Sequence, residues 1–311
     1  MKTEFFKLKR GTVVTVIGGS GFLGHYVVRE LAKTGVTIKL VSRDPDKASA
    51  LRVCGAVGQI GFVKADVAKI SQLEKAIKGS DAVINLVGIL YSKGKHNFHN
   101  MHVTAADNIA KLCQSNQVKR LVHVSALGVE RSCQNSQYAK TKLAGEKAIL
   151  QHFNKATILR PSVIFGAEDN FTNLFNWMAK ISPALPLIGS GRTKFQPVFV
   201  GDVAKAVVQC LQEDPNLVCS KTLELGGPTV YTFKEIIEII LKVGHRRRLL
   251  LPIPMFLAKI KAFFLELMPN PIMTRDQIEL LKYDNIVFGK NGLTTLGITP
   301  THMESILETY I

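Results

Sequence analysis

Three glycines, Gly18, Gly21 and Gly24, follow one another with two residues between them near the start of this 311-residue chain. The apolar run TVVTVIG precedes them, and the amphipathic stretch FLGHYVVRELAKTG follows. A strand that turns through glycines into a helix predicts a loop for a dinucleotide pyrophosphate. Gly18 permits the tight turn, Gly21 lets backbone N–H groups approach the phosphates, and Gly24 lets the helix pack closely. A plain glycine-rich turn is the alternative, which the position between strand and helix disfavours.

The first half of the chain alternates short apolar runs with helical patterns. Near-continuous Val and Ile runs are typical of strands that are buried on both faces. Their alternation with amphipathic helices predicts an α/β fold, a Rossmann-type doubly wound parallel sheet. The runs are TVVTVIG, TIKLVSR, GFVKAD, DAVINLVGI, RLVHVSALG and ATILRPSVIFG.

We predict two parts, a nucleotide-binding core over residues 1–166 and a mixed segment over 167–311. Within the second part, residues about 198–227 are expected to return to the sheet. They read as a helix capped by Asp202, followed by the strand TLELGG. The remainder is helical and broken by prolines, which predicts a smaller C-terminal lobe over the carboxyl ends of the strands.

Composition limits which classes of binding partner and which cellular compartment we expect. The net charge of +16 favours anionic partners, but the basic residues are not interleaved with aromatic ones, so we expect no nucleic acid. Five cysteines without a C-x-x-C spacing indicate a reducing compartment. We recognise no signal peptide and no run long enough to span a membrane, so a cytoplasmic location is expected.

The end of the second strand bears on the choice of cofactor. Arg43 falls about 20 residues past the glycine loop, where it would accommodate the 2′-phosphate of NADP(H). Asp44 and Asp46 would favour NAD(H) if the strand ended later, although DPD is also good turn chemistry. Asp66 ends the third strand, beside Val67, where it could meet the adenine or cap a helix.

Tyr138 and Lys142 stand four residues apart in NSQYAKTKLAGEKAI and share a helix face. An ammonium beside the phenol is expected to lower the pKa of Tyr138 from about 10, which suits proton exchange with a hydroxyl or carbonyl substrate. Ser125 would hold the substrate oxygen. The alternative is a surface pair on a basic helix.

The order of these motifs resembles the extended and atypical short-chain dehydrogenase/reductase superfamily through nearly the whole chain. The segments are the glycine loop, NLVG at 85–88, Ser125, Y-x-x-x-K and LRPSVIFG at 159–166. The resemblance implies that Lys142 holds the nicotinamide ribose and that Tyr138 is a general acid/base. It implies a catalytic set of Ser125, Tyr138 and Lys142. The implied cofactor-binding set is Gly18, Gly21, Phe22, Leu23, Gly24, Arg43, Asp66, Val67, Leu86, Gly88, Tyr138, Lys142, Pro161 and Ile164.

Several segments narrow the resemblance to one subgroup, among them YAKTKLAGE, IGSGRTKFQPVFVGDVAKAV and MTRDQIELLKYDN. They look like the accessory subunits of respiratory complex I (alpha-subcomplex subunit nine) and their bacterial relatives. A related branch is associated with ubiquinone biosynthesis. The subgroup implies an NADP(H)-binding accessory or assembly component in a bacterial cytoplasm, at the inner membrane face, or in a mitochondrial matrix. An active oxidoreductase or epimerase and a redox sensor are the alternatives.

Two further features each have a structural and a functional interpretation. His96, His99 and His102 share helical spacing but lack an acidic or cysteine partner, so we predict a polar rim over the nicotinamide pocket and no metal site. From Met255 to Met268 an apolar helix face follows His-Arg-Arg-Arg. We predict that this face packs on the small lobe, the alternative being contact with an anionic membrane.

Overall fold

A computed structural model describes residues 6–311 of the chain. Seven strands form the main sheet: β1 (Val13–Ile17), β2 (Thr37–Ser42), β3 (Ile60–Lys64), β4 (Ala82–Asn85), β5 (Arg120–Val124), β6 (Thr157–Pro161) and β11 (Thr222–Leu225). Six others pair in twos: β7 (Ile164–Phe165) with β10 (Val198–Phe199), β8 (Ala184–Ile188) with β13 (Leu249–Ile253), and β9 (Lys194–Phe195) with β12 (Tyr231–Thr232).

Helices cover both faces of the main sheet and build the C-terminal lobe. Those that belong to the first half are α1 (Phe22–Ala32), α2 (Ile70–Ile77), α3 (Ala105–Ser115), α4 (Val129–Ser132) and α5 (Gln137–His152). Those that follow are α6 (Thr172–Ile181), α7 (Val200–Gln212), α8 (Pro215–Val218), α9 (Phe233–Val243), α10 (Met255–Leu265), α11 (Arg275–Leu280), α12 (Gly292–Thr295) and α13 (Met303–Leu307).

The main sheet has the order β11-β6-β5-β4-β1-β2-β3, and every neighbouring pair is parallel. The order reverses between β1 and β4, which makes a crevice at their carboxyl ends, the place where open α/β sheets bind ligands. The predicted doubly wound α/β fold is therefore confirmed. Each of the six apolar runs of the sequence overlaps one strand of this sheet.

The sheet separates two hydrophobic cores. On one face, side chains from α1 and α7 pack on β1 and β2, with Val28 and Val207 fully buried. On the other face, α2, α3 and α5 pack on β4 and β5, with Ile109 and Ile149 fully buried. Burial on both faces explains why these strands are almost continuously apolar.

The C-terminal lobe has its own core, built around a cluster of phenylalanine rings. Phe175, Phe195 and Phe233 are buried in it, and their ring centroids lie 5.5–6.2 Å apart in pairs. The predicted cap of α7 is wrong: Phe199 holds the N-cap position, and Asp202 lies buried in the first turn. The Asp202 carboxylate accepts instead from the backbone N–H of Thr301 at 2.7 Å. This bond joins α7 to the segment just before α13.

Helix α10 packs on the lobe through two small residues, Ala258 and Ala262. Its large apolar side chains point to solvent instead of to the lobe, contrary to the predicted packing. We call this surface the aromatic face; it consists of Phe256, Ile260, Phe263, Phe264 and Leu267, all exposed. Within residues 6–311, no helix combines the length and the apolar character that crossing a bilayer requires.

Candidate dinucleotide site

The glycine loop lies at the carboxyl end of β1, directly against the segment that follows β4. Gly18 has a φ of +84°, and a Cβ there would lie 3.3 Å from the carbonyl carbon of Leu86. A Cβ at Gly24 would lie 2.5 Å from the carbonyl oxygen of Gly19, so only glycine lets α1 approach the loop this closely. Gly21 is the N-cap residue of α1, and the following N–H groups lack intrahelical acceptors. These groups can bind an anion.

The ends of β2 and β3 form the side of the crevice where the sequence predicts the adenosine. Ser42, the last residue of β2, shares a 2.7 Å hydrogen bond with the hydroxyl of Ser20 in the glycine loop. Arg43 follows on the surface and makes no ion pair with another residue of 6–311. Asp66 accepts from the backbone N–H of Ala68 at 3.0 Å, which makes a turn ahead of α2. A free guanidinium therefore stands at the strand end that the sequence indicated.

Lys142 projects from α5 into the crevice and is 4% exposed. Its ammonium donates to the carbonyl oxygens of Val87 at 3.2 Å and Val124 at 3.1 Å. Val87 lies just past the end of β4, and Val124 is the last residue of β5. A Cβ at Gly88 would lie 3.2 Å from its Nζ. Burial lowers the pKa of Lys142 to about 8, although Glu146 opposes this. The ammonium therefore lies next to Gly88, which faces solvent.

Tyr138 lies one turn before Lys142 and packs edge-to-face on the ring of His102, with centroids 5.4 Å apart. The expected lowering of its pKa is wrong: burial and the negative charge of Asp276 raise the pKa of Tyr138 to about 12. Ser125 lies just beyond β5. Its hydroxyl is buried and has no hydrogen-bond partner within residues 6–311. The phenol is thus a proton donor at neutral pH, and the Ser125 hydroxyl remains free to bind a ligand atom.

His102 has a structural role that its sequence position did not reveal. It is 2% exposed, and its Nε2 accepts from the backbone N–H of Ile89 at 3.1 Å. Its Nδ1 lies 3.0 Å from the Thr141 hydroxyl on α5. Burial, with the nearby Lys142 ammonium, lowers the pKa of His102 to about 2, so the ring is neutral. His102 therefore fixes the loop after β4 against α5. Within the described residues no group of side chains could hold a metal ion.

A second buried histidine lies under the crevice, and no motif in the sequence singled it out. His123 on β5 is hydrogen-bonded through Nδ1 to the Asn85 amide at 2.9 Å. The Asn85 Oδ1 in turn accepts from the backbone N–H of Val87 at 3.0 Å, so the amide nitrogen is the donor to His123. Burial, with the Lys142 ammonium, lowers the pKa of His123 to about 3. This pair orients the segment from which Val87 accepts the Lys142 hydrogen bond.

The C-terminal lobe reaches the site through two residues of MTRDQIELLKYDN. The Asp276 carboxylate accepts from the backbone N–H groups of Gln137 at 2.7 Å and Tyr138 at 3.1 Å, and from the Ser136 hydroxyl at 2.8 Å. It therefore caps the helix that carries the tyrosine and lysine. No local pattern around Asp276 indicates this partner, because the bonded residues lie 138–140 positions away.

Asn285 makes the second contact between the lobe and the site. Its Oδ1 accepts from the Ser162 hydroxyl at 2.7 Å and the Val163 backbone N–H at 3.2 Å. Its Nδ2 donates to the carbonyl oxygen of Leu127 at 2.9 Å. Pro161 ends β6 and Ile164 begins β7 on either side of these bonds. The end of the crevice beside β6 is thus closed by Asn285 of the C-terminal lobe.

Comparison with known proteins agrees with this geometry. The sequence profile of the NAD dependent epimerase/dehydratase family matches residues 14–226. The chain belongs to this family. The match begins in β1 and ends just after β11, so the NAD(P)-binding family covers the whole main sheet and the crevice residues on it. The predicted membership of the extended short-chain dehydrogenase/reductase superfamily is confirmed.

Relatives of this epimerase/dehydratase family member include named subunits of complex I. It is 35% identical over 288 residues to the NADH dehydrogenase [ubiquinone] 1 alpha subcomplex subunit 9 of Arabidopsis thaliana, covering 89% of this chain and 71% of that protein. The Mus musculus subunit 9 is 34% identical, over 94% of this chain and 78% of its own length. A ceramide reductase of Caulobacter vibrioides is 31% identical over 73% of the chain and 68% of its own length.

Solved structures confirm the fold of the family member. An NADPH-dependent quinone oxidoreductase from Escherichia coli, solved with NADPH, superposes with a TM-score of 0.74 at 18% identity. That likeness covers 95% of this chain and 99% of the other. An epimerase from Methanothermobacter thermautotrophicus gives 0.75 at 18% identity, over 98% and 92% of the two chains.

Proposed function

We propose that this protein binds NADP(H) as a structural cofactor and serves as an accessory or assembly component of respiratory or quinone-metabolising machinery. The dinucleotide would lie across the crevice between β1 and β4. Its pyrophosphate would meet the N–H groups at the start of α1, and its nicotinamide ribose would meet Lys142.

The observation that carries this proposal is the position of Lys142. Its ammonium is buried at the mouth of the crevice, and it bonds to two carbonyl oxygens while it faces Gly88. A ribose placed over Gly88 would come within reach of the charged group, whose other side is satisfied by the protein. Burying an ammonium is costly, so a ligand that accepts a further hydrogen bond from it stabilises the fold.

The preference for NADP(H) over NAD(H) rests on Arg43. Its guanidinium stands at the end of β2, exposed and without an ion-pair partner among residues 6–311. The nearby Asp44 ion-pairs with Lys47 at 3.7 Å, which leaves it a poorer partner for a ribose hydroxyl. A 2′-phosphate would supply the missing charge for Arg43.

The proposed partner is a respiratory complex or a quinone-biosynthesis complex, because subunit 9 proteins of complex I are related over most of the chain. We propose that the protein works on the cytoplasmic face of a bacterial inner membrane, or on the matrix face in a mitochondrion. Peripheral contact with an anionic membrane is part of this proposal, and the net charge of +16 supports it.

A second candidate function is catalysis on a hydroxyl or carbonyl substrate, and the free Ser125 hydroxyl favours it. That hydroxyl is buried and has no hydrogen-bond partner within the described residues, as expected of a group whose partner is a substrate oxygen. When bound, the cofactor would supply or accept a hydride. The raised pKa of Tyr138 keeps the phenol protonated, which suits donation of a proton to a carbonyl oxygen during reduction.

The two functions are separated by a pair of substitutions, Lys142→Ala and Tyr138→Phe. For a structural cofactor, Lys142→Ala lowers NADPH affinity and the melting temperature, whereas Tyr138→Phe leaves both nearly unchanged, because one hydrogen bond is worth only about 0.5–1.5 kcal/mol. The nucleotide retained by the purified protein is identified first, and carbonyl compounds are then tested in a single turnover. Turnover by the wild type that Tyr138→Phe abolishes without loss of NADPH binding would make catalysis the function.

A further inference from the structure

The aromatic face of α10 and the strand just before it both carry exposed apolar side chains on the C-terminal lobe. Phe256 and Phe264 are 63% and 62% exposed, and Leu267 just past the helix is 74% exposed. The strand that leads into the helix adds Leu249, at 70%, and Leu251, at 52%. A concentration of exposed large apolar side chains in one segment is typical of an interaction site on a folded protein. The helix is held to the lobe from its other side, by Ala258 and Ala262, so its outward face is free for a partner.

The segment that carries these exposed apolar side chains is strongly basic. Residues 242–268 contain six Lys and Arg side chains and one acidic side chain, Glu266. Glu266 is bound to Arg275 at 2.8 Å, and Lys259 is bound to Glu279 on α11. The other five, which we call the basic belt, form no ion pair with a residue of 6–311: Lys242, Arg246, Arg247, Arg248 and Lys261.

Part of the basic belt lines an open cleft beside α9. Arg246 donates to the side-chain oxygen of Asn176 at 2.9 Å, and Arg248 donates to the carbonyl oxygen of Ala179 at 2.9 Å. These neutral acceptors hold two guanidinium groups close together without cancelling their charge. Arg247 remains exposed beside them. Glu238 also lines the cleft, but it lies 3.6 Å from Lys234 and is outnumbered by the basic side chains, so the cleft suits an anionic group such as a phosphate.

We infer that the aromatic face rests in the boundary between headgroups and acyl chains of an anionic bilayer, while the basic belt binds the lipid phosphates. This inference rests on the proposed work at a respiratory membrane, and it adds the surface that makes the contact. An 11-residue helix is about 16 Å long, roughly half the hydrocarbon thickness, so α10 lies in the plane of the interface. Apolar side chains on one face, with basic groups beside them, are what such binding requires.

The charge distinguishes a bilayer from other occupants of this surface. A second copy of the chain packed through a two-fold axis would place the basic belt against itself, which costs energy instead of gaining it. A protein partner would need a surface that is both apolar and acidic and shaped to fit. An anionic bilayer offers both properties over any extended area, and Lys261 can reach its headgroups from the flank of the apolar face.

The test is flotation of the full chain with phosphatidylcholine vesicles, with and without phosphatidylglycerol. We expect binding to the vesicles that contain phosphatidylglycerol, weaker binding as salt is raised, and little binding to phosphatidylcholine alone. Two double variants, Phe256→Ser/Phe264→Ser and Arg247→Glu/Lys261→Glu, are each expected to lower the partition coefficient about 10-fold or more. Phe263 is left in place because Arg275 stacks on its ring, 5.0 Å from the centroid.

Matched controls make the same chemical changes around the main sheet, away from α10. Val57→Ser/Leu217→Ser removes two exposed apolar side chains, and Lys155→Glu/Lys221→Glu reverses two exposed charges. Both controls should bind vesicles like the wild type. The inference is overturned if the wild type ignores anionic vesicles, if either α10 variant binds as the wild type does, or if the phenylalanines instead prove to hold a dimer in sedimentation. All four variants should keep wild-type NADPH affinity, so a failure here leaves the cofactor proposal standing.

Discussion

The backbone N–H of Tyr138 donates to a carboxylate oxygen of Asp276, 3.1 Å away, and this bond joins the helix of the site to the C-terminal lobe. The first N–H groups of a helix have no intrahelical acceptor, and negative charge is favourable at that end. The same charge contributes to the raised pKa of Tyr138, after burial. One residue of the second lobe therefore influences both the position and the acidity of the tyrosine.

Substitution of Asp276 by Asn should reveal both effects. The amide keeps an acceptor oxygen of the same shape but loses the charge, so we expect the free energy of unfolding to fall by about 1–2 kcal/mol. The pKa of Tyr138 should fall from about 12 but stay above its ordinary value, because burial remains. Urea unfolding measures the first, and phenolate absorbance with Tyr138→Phe as background measures the second. Glu74→Gln, at an exposed position, is the control; an unchanged tyrosine pKa would remove Asp276 from this role.

Arg43→Asp should change the choice of nucleotide. A charge-assisted contact to the 2′-phosphate is worth about 1.5–3 kcal/mol, so NADPH affinity should fall roughly ten-fold or more while NADH affinity stays unchanged. Titration calorimetry with both nucleotides measures this. Lys155→Asp makes the same change in net charge on a distant surface and should leave both affinities alone. Equal loss of the two nucleotides, or no loss, would show that Arg43 does not read the phosphate.

The glycines of the loop should separate folding from cofactor binding. A Cβ at Gly24 would lie 2.5 Å from the carbonyl oxygen of Gly19, so Gly24→Ala should lower the melting temperature with or without cofactor. A Cβ at Gly21 would come no closer than 3.4 Å to Gly18, and its φ of −84° suits alanine. Gly21→Ala should therefore fold normally and bind NADPH poorly. Normal NADPH affinity in Gly21→Ala would argue against a pyrophosphate at this loop.

The buried ammonium of Lys142 predicts a stability difference that depends on pH. Its pKa is lowered from 10.5 to about 8, so between these values the unfolded chain binds more protons than the folded chain. The contribution of Lys142 to stability should therefore rise with pH across this window. Without cofactor, the stability of wild type relative to Lys142→Met should improve by roughly 1–3 kcal/mol from pH 7 to pH 10. Lys140→Met, at an exposed position on α5, should show no such change; a flat difference for Lys142 would contradict its burial as a charge.

The sheet could be predicted from sequence because its signal is local. Runs such as VVTVI at 13–17 are buried on both faces, and for this reason nearly every residue in such a run is apolar. The glycine loop is equally local, since φ and close approach act within the loop itself. The positions of Gly18 and Arg43 therefore followed from spacing alone.

Predictions that depended on partners outside the local segment were less successful. Asp202 is a residue type that often caps helices, but its carboxylate accepts from the backbone N–H of Thr301, 99 positions away. Periodicity showed that α10 has an apolar face, but periodicity does not say whether another element covers it. The pKa of Tyr138 was expected to follow Lys142, four residues on, whereas burial and Asp276 decide it. Asp276 itself could not be found, because a helix N-terminus does not specify which segment will cap it.

The two hydrogen bonds of Lys142 bear on how this protein could change over evolutionary time. Its ammonium joins the carbonyl oxygens of Val87 and Val124, at the ends of two neighbouring strands. A lineage that stopped using the tyrosine in chemistry and replaced the lysine would leave both of these carbonyl oxygens without this donor. The bonds are a reason to keep Lys142 that is independent of chemistry, so its persistence in any descendant would be no record of turnover.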